Sequence, residues 1–102
     1  MSIGPLVEET CTSETKGENS TRFYGVYPDV SKLKRLLDKS FVQVNVWCEP
    51  PYRYVWVSLE HSTVATFSDG DVSVIVFDRD EDFLDHLADC QRFYIEQREA
   101  RA

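Results

Sequence analysis

Apolar residues in the middle of the chain recur at every second position. "FVQVNVWC" (41–48) sets Val42, Val44, Val46 and Cys48 against Phe41, Gln43, Asn45 and Trp47. "YRYVWVSLE" (52–60) sets Val55, Val57 and Leu59 against Tyr54, Trp56 and Ser58. "DVSVIVF" (71–77) sets Val72, Val74 and Val76 against Ser73, Ile75 and Phe77. With the short "STVATF", these period-two runs predict four β-strands, because successive side chains on a strand point to opposite faces. The connections Glu49-Pro50-Pro51, Glu60-His61-Ser62 and Ser68-Asp69-Gly70 are tight. Asp-Gly supplies the positive φ that a hairpin turn requires. Loops this short join antiparallel strands, since parallel strands need a long crossover. "RFYGVY" (22–27), ended by Pro28, is a candidate fifth strand.

Two segments change to helical spacing. In "PDVSKLKRLLDK" (28–39), Asp29 suits the N-cap, and Val30, Leu33 and Leu37 fall on one stripe, with Leu36 beside it. Lys32, Arg35 and Lys39 take the outer side. From about Arg79 to Arg98, Phe83, Leu87, Cys90 and Tyr94 form a stripe at i, i+4, i+7 and i+11, widened by Leu84 and Ile95. Asp78 or Asp80 caps this helix, and its early acids suit the positive end of the helix dipole. The predicted fold class is α+β: an antiparallel meander of four to five strands, packed by a long C-terminal helix, with a short N-terminal helix. The valines of the strands are the expected floor for the long helix, and Cys48 and Cys90 are expected in that layer as small apolar residues.

Residues 1–21 lack this texture. They are rich in Ser, Thr, Glu and Gly and read as a flexible arm, which Ile3, Leu6 and Val7 could pin to the domain. Residues 22–102 read as a single domain. The chain of 102 residues is 42% hydrophobic, enough for one core without a disulfide or metal. The three cysteines are far apart and form no C-x-x-C or Cys/His cluster, so neither a disulfide framework nor a metal site is expected. No apolar run approaches a membrane span, and the start has neither the basic nor the apolar part of a secretory signal, so the cytoplasm is the expected compartment.

Net charge changes the functional picture. The value is −7, and residues 1–40 balance six basic against six acidic groups. The imbalance therefore lies in residues 41–102, with five basic and twelve acidic groups. A direct nucleic-acid binder needs the opposite sign. A basic protein partner fits. On the last helix, Asp78, Glu81, Asp82, Asp85, Asp89 and Glu96 lie opposite the apolar stripe and form an acidic ridge. Its steps of three and four residues repeat every ~5–6 Å, a spacing comparable to that of backbone phosphates.

A second candidate surface is "VWCEPPYRYVWV" (46–57). Phe41, Trp47, Tyr54, Trp56, Ile75 and Phe77 make one sheet face too apolar to be solvated. The first helix, the arm, a second copy of the chain or a partner must cover it. A short helix is expected to leave the hairpin end accessible, so Trp47, Tyr52, Tyr54 and Trp56 are candidate partner-binding residues.

Catalytic patterns are weak. The EF-hand positions that require Gly and Glu hold Phe83 and Asp89, which argues against calcium at Asp78, Asp80 and Asp82. His86 and Cys90 at i, i+4 could place an imidazole beside a thiol, but a cysteine in an apolar layer is usually inert. No Gly-rich phosphate loop, H-E-x-x-H or G-x-S-x-G occurs. The expectation is a non-catalytic protein-binding protein without cofactor. An inhibitor of the immunity or anti-defence kind would occupy the basic surface of a nucleic-acid-handling partner. The alternatives are a homo-oligomeric module using the aromatic face, and a small-ligand or enzymatic domain with a pocket between sheet and helix.

Overall fold

The computed structural model describes residues 4–101. The chain forms an α+β fold with a six-stranded, wholly antiparallel sheet. Helix α1 (Gly4–Thr10) is followed by strands β1 (Ser13–Lys16) and β2 (Ser20–Val26) and helix α2 (Val30–Leu37). Then come β3 (Val42–Gln43), a 3-10 turn (Asn45–Trp47), β4 (Arg53–Ser58), β5 (Thr63–Ser68), β6 (Asp71–Phe77) and helix α3 (Asp80–Arg101). The spatial order is β1-β2-β6-β5-β4-β3. Strands β3 to β6 are the expected meander, and the β1–β2 hairpin adds to it through β6.

The sheet has six strands where four or five were expected, because part of the expected arm is structured. In α1, Leu6 is buried and Thr10 donates its hydroxyl to the Leu6 carbonyl at 2.8 Å. Thr12 then hydrogen-bonds Tyr24 and leads into β1. Strand β1, Ser-Glu-Thr-Lys, is exposed throughout. It has no apolar alternation to announce it and exists by pairing with β2. Ile3 lies outside the described residues.

Hairpin register decides the two faces. Asp69 and Gly70, both at positive φ, make a two-residue turn that pairs Ser68 with Asp71. The β4–β5 loop pairs Ser58 with Thr63. Directly opposed residues share a face, so Trp56, Ala65 and Val74 line one side, and Val57, Val64 and Ile75 the other. This corrects the expected all-valine floor: Val72 and Val74 lie with Trp56, whereas Val55 and Val57 face the other way. Phe77 likewise belongs with Val55 and Val57.

The face of Trp56, Tyr54, Phe67 and Val74 is covered by α1 and α2. Leu33 and Leu37 are the buried stripe of α2, and Asp29 caps it by accepting the Lys32 amide at 3.0 Å. Lys34 sits over the Tyr54 ring at 5.0 Å. Trp56 is 0% exposed. Most of this face is thus core within a single chain.

On the opposite face, Phe83, Leu87, Cys90 and Tyr94 of α3 meet Val55, Val57, Val64 and Phe77. The predicted stripe is correct, but Leu84 and Ile95 are exposed and do not widen it. Segment 41–48 is not one strand. After Gln43 it coils into the 3-10 turn, where Cys48 Sγ meets the Val44 carbonyl at 3.2 Å and the Val55 amide at 3.4 Å. The turn carries Trp47 to the α3 side, away from Tyr54.

Gly25 is the closest backbone crossing. A Cβ there would lie 2.0 Å from the Thr10 carbonyl oxygen and 2.7 Å from Cys11 Cα. Gly25→Ala is expected to lower unfolding free energy by about 2–3 kcal/mol, read by denaturant titration, because the overlap is with backbone. An unchanged midpoint would mean that the end of α1 does not rest on β2.

Candidate functional site

Helix α3 spans 22 residues, about 33 Å at the α-helical rise. Its sides differ in chemistry. Leu87 lies on the underside, Leu84, Ala88 and Ile95 on one flank, and Glu81, Asp85, Asp89 and Glu96 on the outer side. Gln91 is on the same flank as Leu84 and accepts a hydrogen bond from Trp47 Nε1 at 2.8 Å, which fixes that flank toward the 3-10 turn.

Glu81, Asp85, Asp89 and Glu96 of the expected acidic ridge are therefore outward-facing, whereas Asp82 is half-buried, and the ridge is not uniformly free. Arg79 binds Glu81 and Asp82, each at 3.0 Å, and Arg92 binds Asp89 at 2.9 Å. Asp78, Asp85 and Glu96 make no ion pair among the described residues. Asp80 accepts a hydrogen bond from Ser62 Oγ. No group of three or more His, Cys, Asp or Glu suited to a metal occurs among the described residues. No described helix is long and apolar enough to cross a membrane.

The four aromatic candidates separate. Trp56 is fully buried beneath α2. Trp47 is 6% exposed and stacks on Tyr94, with ring centroids 5.8 Å apart. Tyr54 is half-buried and stacks on Trp56. Tyr52, 65% exposed at the hairpin tip, is the member of this set that faces solvent. Trp47, Tyr54 and Trp56 hold the fold together because large aromatic surfaces repay burial strongly.

Their place at the surface is taken by residues that the pattern did not single out. Val42 and Leu59 are 72% and 70% exposed. They border an apolar groove of about 350 Å³ with Val44, Val57, Trp47 and Leu87. Leu59 continues the alternation of Val55 and Val57, but β4 ends at Ser58 and Leu59 begins the loop. Leu87 is the α3 residue that lines this groove.

On the other flank α3 stands away from the sheet. A hollow of about 340 Å³ opens there, floored by Val64, Thr66, Ser73 and Ile75, with Arg22 and Tyr24 at one side and Arg53 and Tyr94 at the other. His86 and Cys90 form its helical wall, with Sγ and Nε2 3.5 Å apart. Burial pushes the Cys90 thiol up; Arg53 opposes this and Asp89 adds to it. Burial holds His86 below its ordinary value; Asp89 opposes this and Arg22 adds to it. A nucleophilic thiolate–imidazolium pair needs the reverse shifts.

No protein-family model, curated protein or solved structure matches this chain. The site is therefore defined by its geometry alone: an amphipathic helix with an acidic outer side, an apolar groove on one flank and a hollow of mixed lining with two arginines on the other.

The depressed His86 value has a sign that can be measured. A histidine held neutral by the fold adds stability above its ordinary pKa, and that contribution is lost as pH falls below it. The denaturation midpoint is expected to fall as pH drops from about 7 to about 5. Arg22 and Asp89 are the charged groups that act on His86, and the Cys90 thiol beside it is pushed up by burial, so it stays protonated over that window. His86→Gln is expected to reduce this pH dependence. An identical profile for the variant would show that His86 does not titrate against the fold.

Proposed function

We propose that this chain is a non-catalytic protein-binding protein that docks on a basic partner through the outer side of α3 and the adjoining β3–β4 groove. It acts as an inhibitor by occupying that partner's basic surface. The observation that carries this reading is that the exposed Val42–Leu59 groove is walled by Leu87 of the same helix whose outer side exposes Glu81, Asp85, Asp89 and Glu96. An apolar anchor with a charged rim is the usual make-up of a specific interface. Charge of one sign along the rim steers the encounter and selects the partner. Nucleic-acid-handling enzymes are the partner class whose basic surface such a stripe suits. Exposed ion pairs are worth only about 0–1 kcal/mol, so Arg79 and Arg92 can release their carboxylates to a stronger cationic surface.

The test uses the immobilised chain and the proteins it retains from its own cell. Binding is expected to weaken at least about tenfold, roughly 1.4 kcal/mol, as salt rises from about 50 to about 500 mM. Leu59→Asp and the double variant Asp85→Lys/Glu96→Lys should each lower affinity for the retained partner by a similar factor. All three positions are exposed, so the fold is expected to persist. Salt-independent binding that tolerates both variants would sink the proposal.

A further inference from the structure

We propose that the hollow between α3 and the sheet binds a small organic anion: an oxyanion, carboxylate or phosphate, carried on a flat apolar body. This site lies on the opposite flank of α3 from the docking groove and does not rest on it.

Charge is the first reason. The chain carries 18 acids and 11 basic residues, yet the hollow is lined by Arg22 and Arg53 and by no acid. Asp89 is the acid whose charge reaches His86 and Cys90 from the helix, and Arg92 engages it at 2.9 Å. Neither Arg22 nor Arg53 has a carboxylate partner among the described residues, unlike Arg79 and Arg92.

The Arg53 end is the built part of the site. Its guanidinium lies 4.8 Å from the centre of the Tyr94 ring, held by cation–π contact. Arg53 Nε and Tyr94 Oη are both buried without a hydrogen-bond partner. These two donors are enclosed, whereas the Arg53 Nη groups are not and make no hydrogen bond or ion pair among the described residues, so they are the donors a ligand oxyanion can meet. Charge-assisted bonds of this kind are about twice as strong as neutral ones.

The floor sets the body of the ligand. Val64 and Ile75 are cross-strand neighbours, as are Thr66 and Ser73, so a flat pleated surface carries two hydroxyls beside two aliphatic side chains. Arg22 stands three strands from Arg53, about 14 Å across the sheet. One oxyanion cannot meet both. Arg53, positioned by the Tyr94 ring, therefore holds the oxyanion, while Arg22 at the open side draws the anion in. The volume of about 340 Å³ falls in the small-ligand range of ~300–1,000 Å³.

The experiment titrates the full chain with 2-naphthoate, 2-naphthyl phosphate, the neutral 2-naphthamide and inorganic phosphate, read by amide NMR shifts. Saturable shifts at Thr66, Ser73 and Ile75 are expected with at least one of the two organic anions, and the tighter one identifies the oxyanion. Naphthamide and inorganic phosphate should bind at least about tenfold more weakly. Arg53→Gln should remove the preference for the anion over the amide, and Arg53→Lys should restore part of it. Arg22→Gln, at an exposed position, should weaken anion binding severalfold even if the Arg53 variants fail to fold. Equal binding of naphthamide, no saturable shift with either organic anion, or anion affinity unchanged in Arg22→Gln and in any Arg53 variant that folds would overturn the proposal.

Discussion

The structure depends on the register of two hairpins. A strand alternates its side chains strictly, so each turn length decides which residues of the next strand join a given face. The β4–β5 loop sets odd positions opposite even ones, and the Asp69-Gly70 turn reverses this again. Trp56 is thereby aligned with Ala65 and Val74, a large side chain over a small one in a fully buried row. One residue more or less in either loop would place Trp56 and Val74 on opposite faces. Both faces are apolar, so both need a cover, and the chain supplies one from each end: α1 with α2, and α3.

Each cover is fixed by a different device. The end of α1 rests directly on backbone, where Gly25 leaves room for Thr10 and Cys11. Lys32 pairs with Glu9 at 3.1 Å, and the Tyr27 hydroxyl donates to the same carboxylate at 3.2 Å, tying α2 to α1. These polar ties are exposed and weak; the buried leucines of α2 carry the adhesion. On the other side, Phe83 sits deep against the sheet while Tyr94 rides on Arg53. The aromatic stripe of α3 thus meets an aliphatic floor at one end and a cation at the other.

Much of this was legible in the residues. The meander, the Asp-Gly turn, the Asp29 cap and the buried stripe of α3 are local, and local spacing determines them. The face assignment was also written in the loop lengths, but it needs both hairpins counted together rather than each strand read alone. Other features had no local signal. Strand β1 is polar and exists through its partner. The 41–48 run alternates like a strand, yet coils where Cys48 satisfies backbone groups and Trp47 gains a buried stack. Leu59 keeps the alternation of Val55 and Val57 one step beyond the end of the strand and is exposed. The hollow brings together Arg22, Arg53 and Tyr94 from β2, β4 and α3, a combination that only the assembled sheet creates.

The way α3 sits explains why its two flanks differ. A helix packed tightly along its whole length would close both flanks against the sheet. Here Phe83 anchors the first turns, whereas the stacked Trp47, Tyr94 and Arg53 prop up the later ones. Replacing that spacer with small apolar residues would let the helix settle and would narrow the hollow on the Arg22 side. On the other flank Trp47 is also a wall of the apolar groove, and its indole is held by Gln91. One stack therefore shapes both openings. The groove and the hollow share α3 as a wall, so any displacement of the helix at one must be felt at the other.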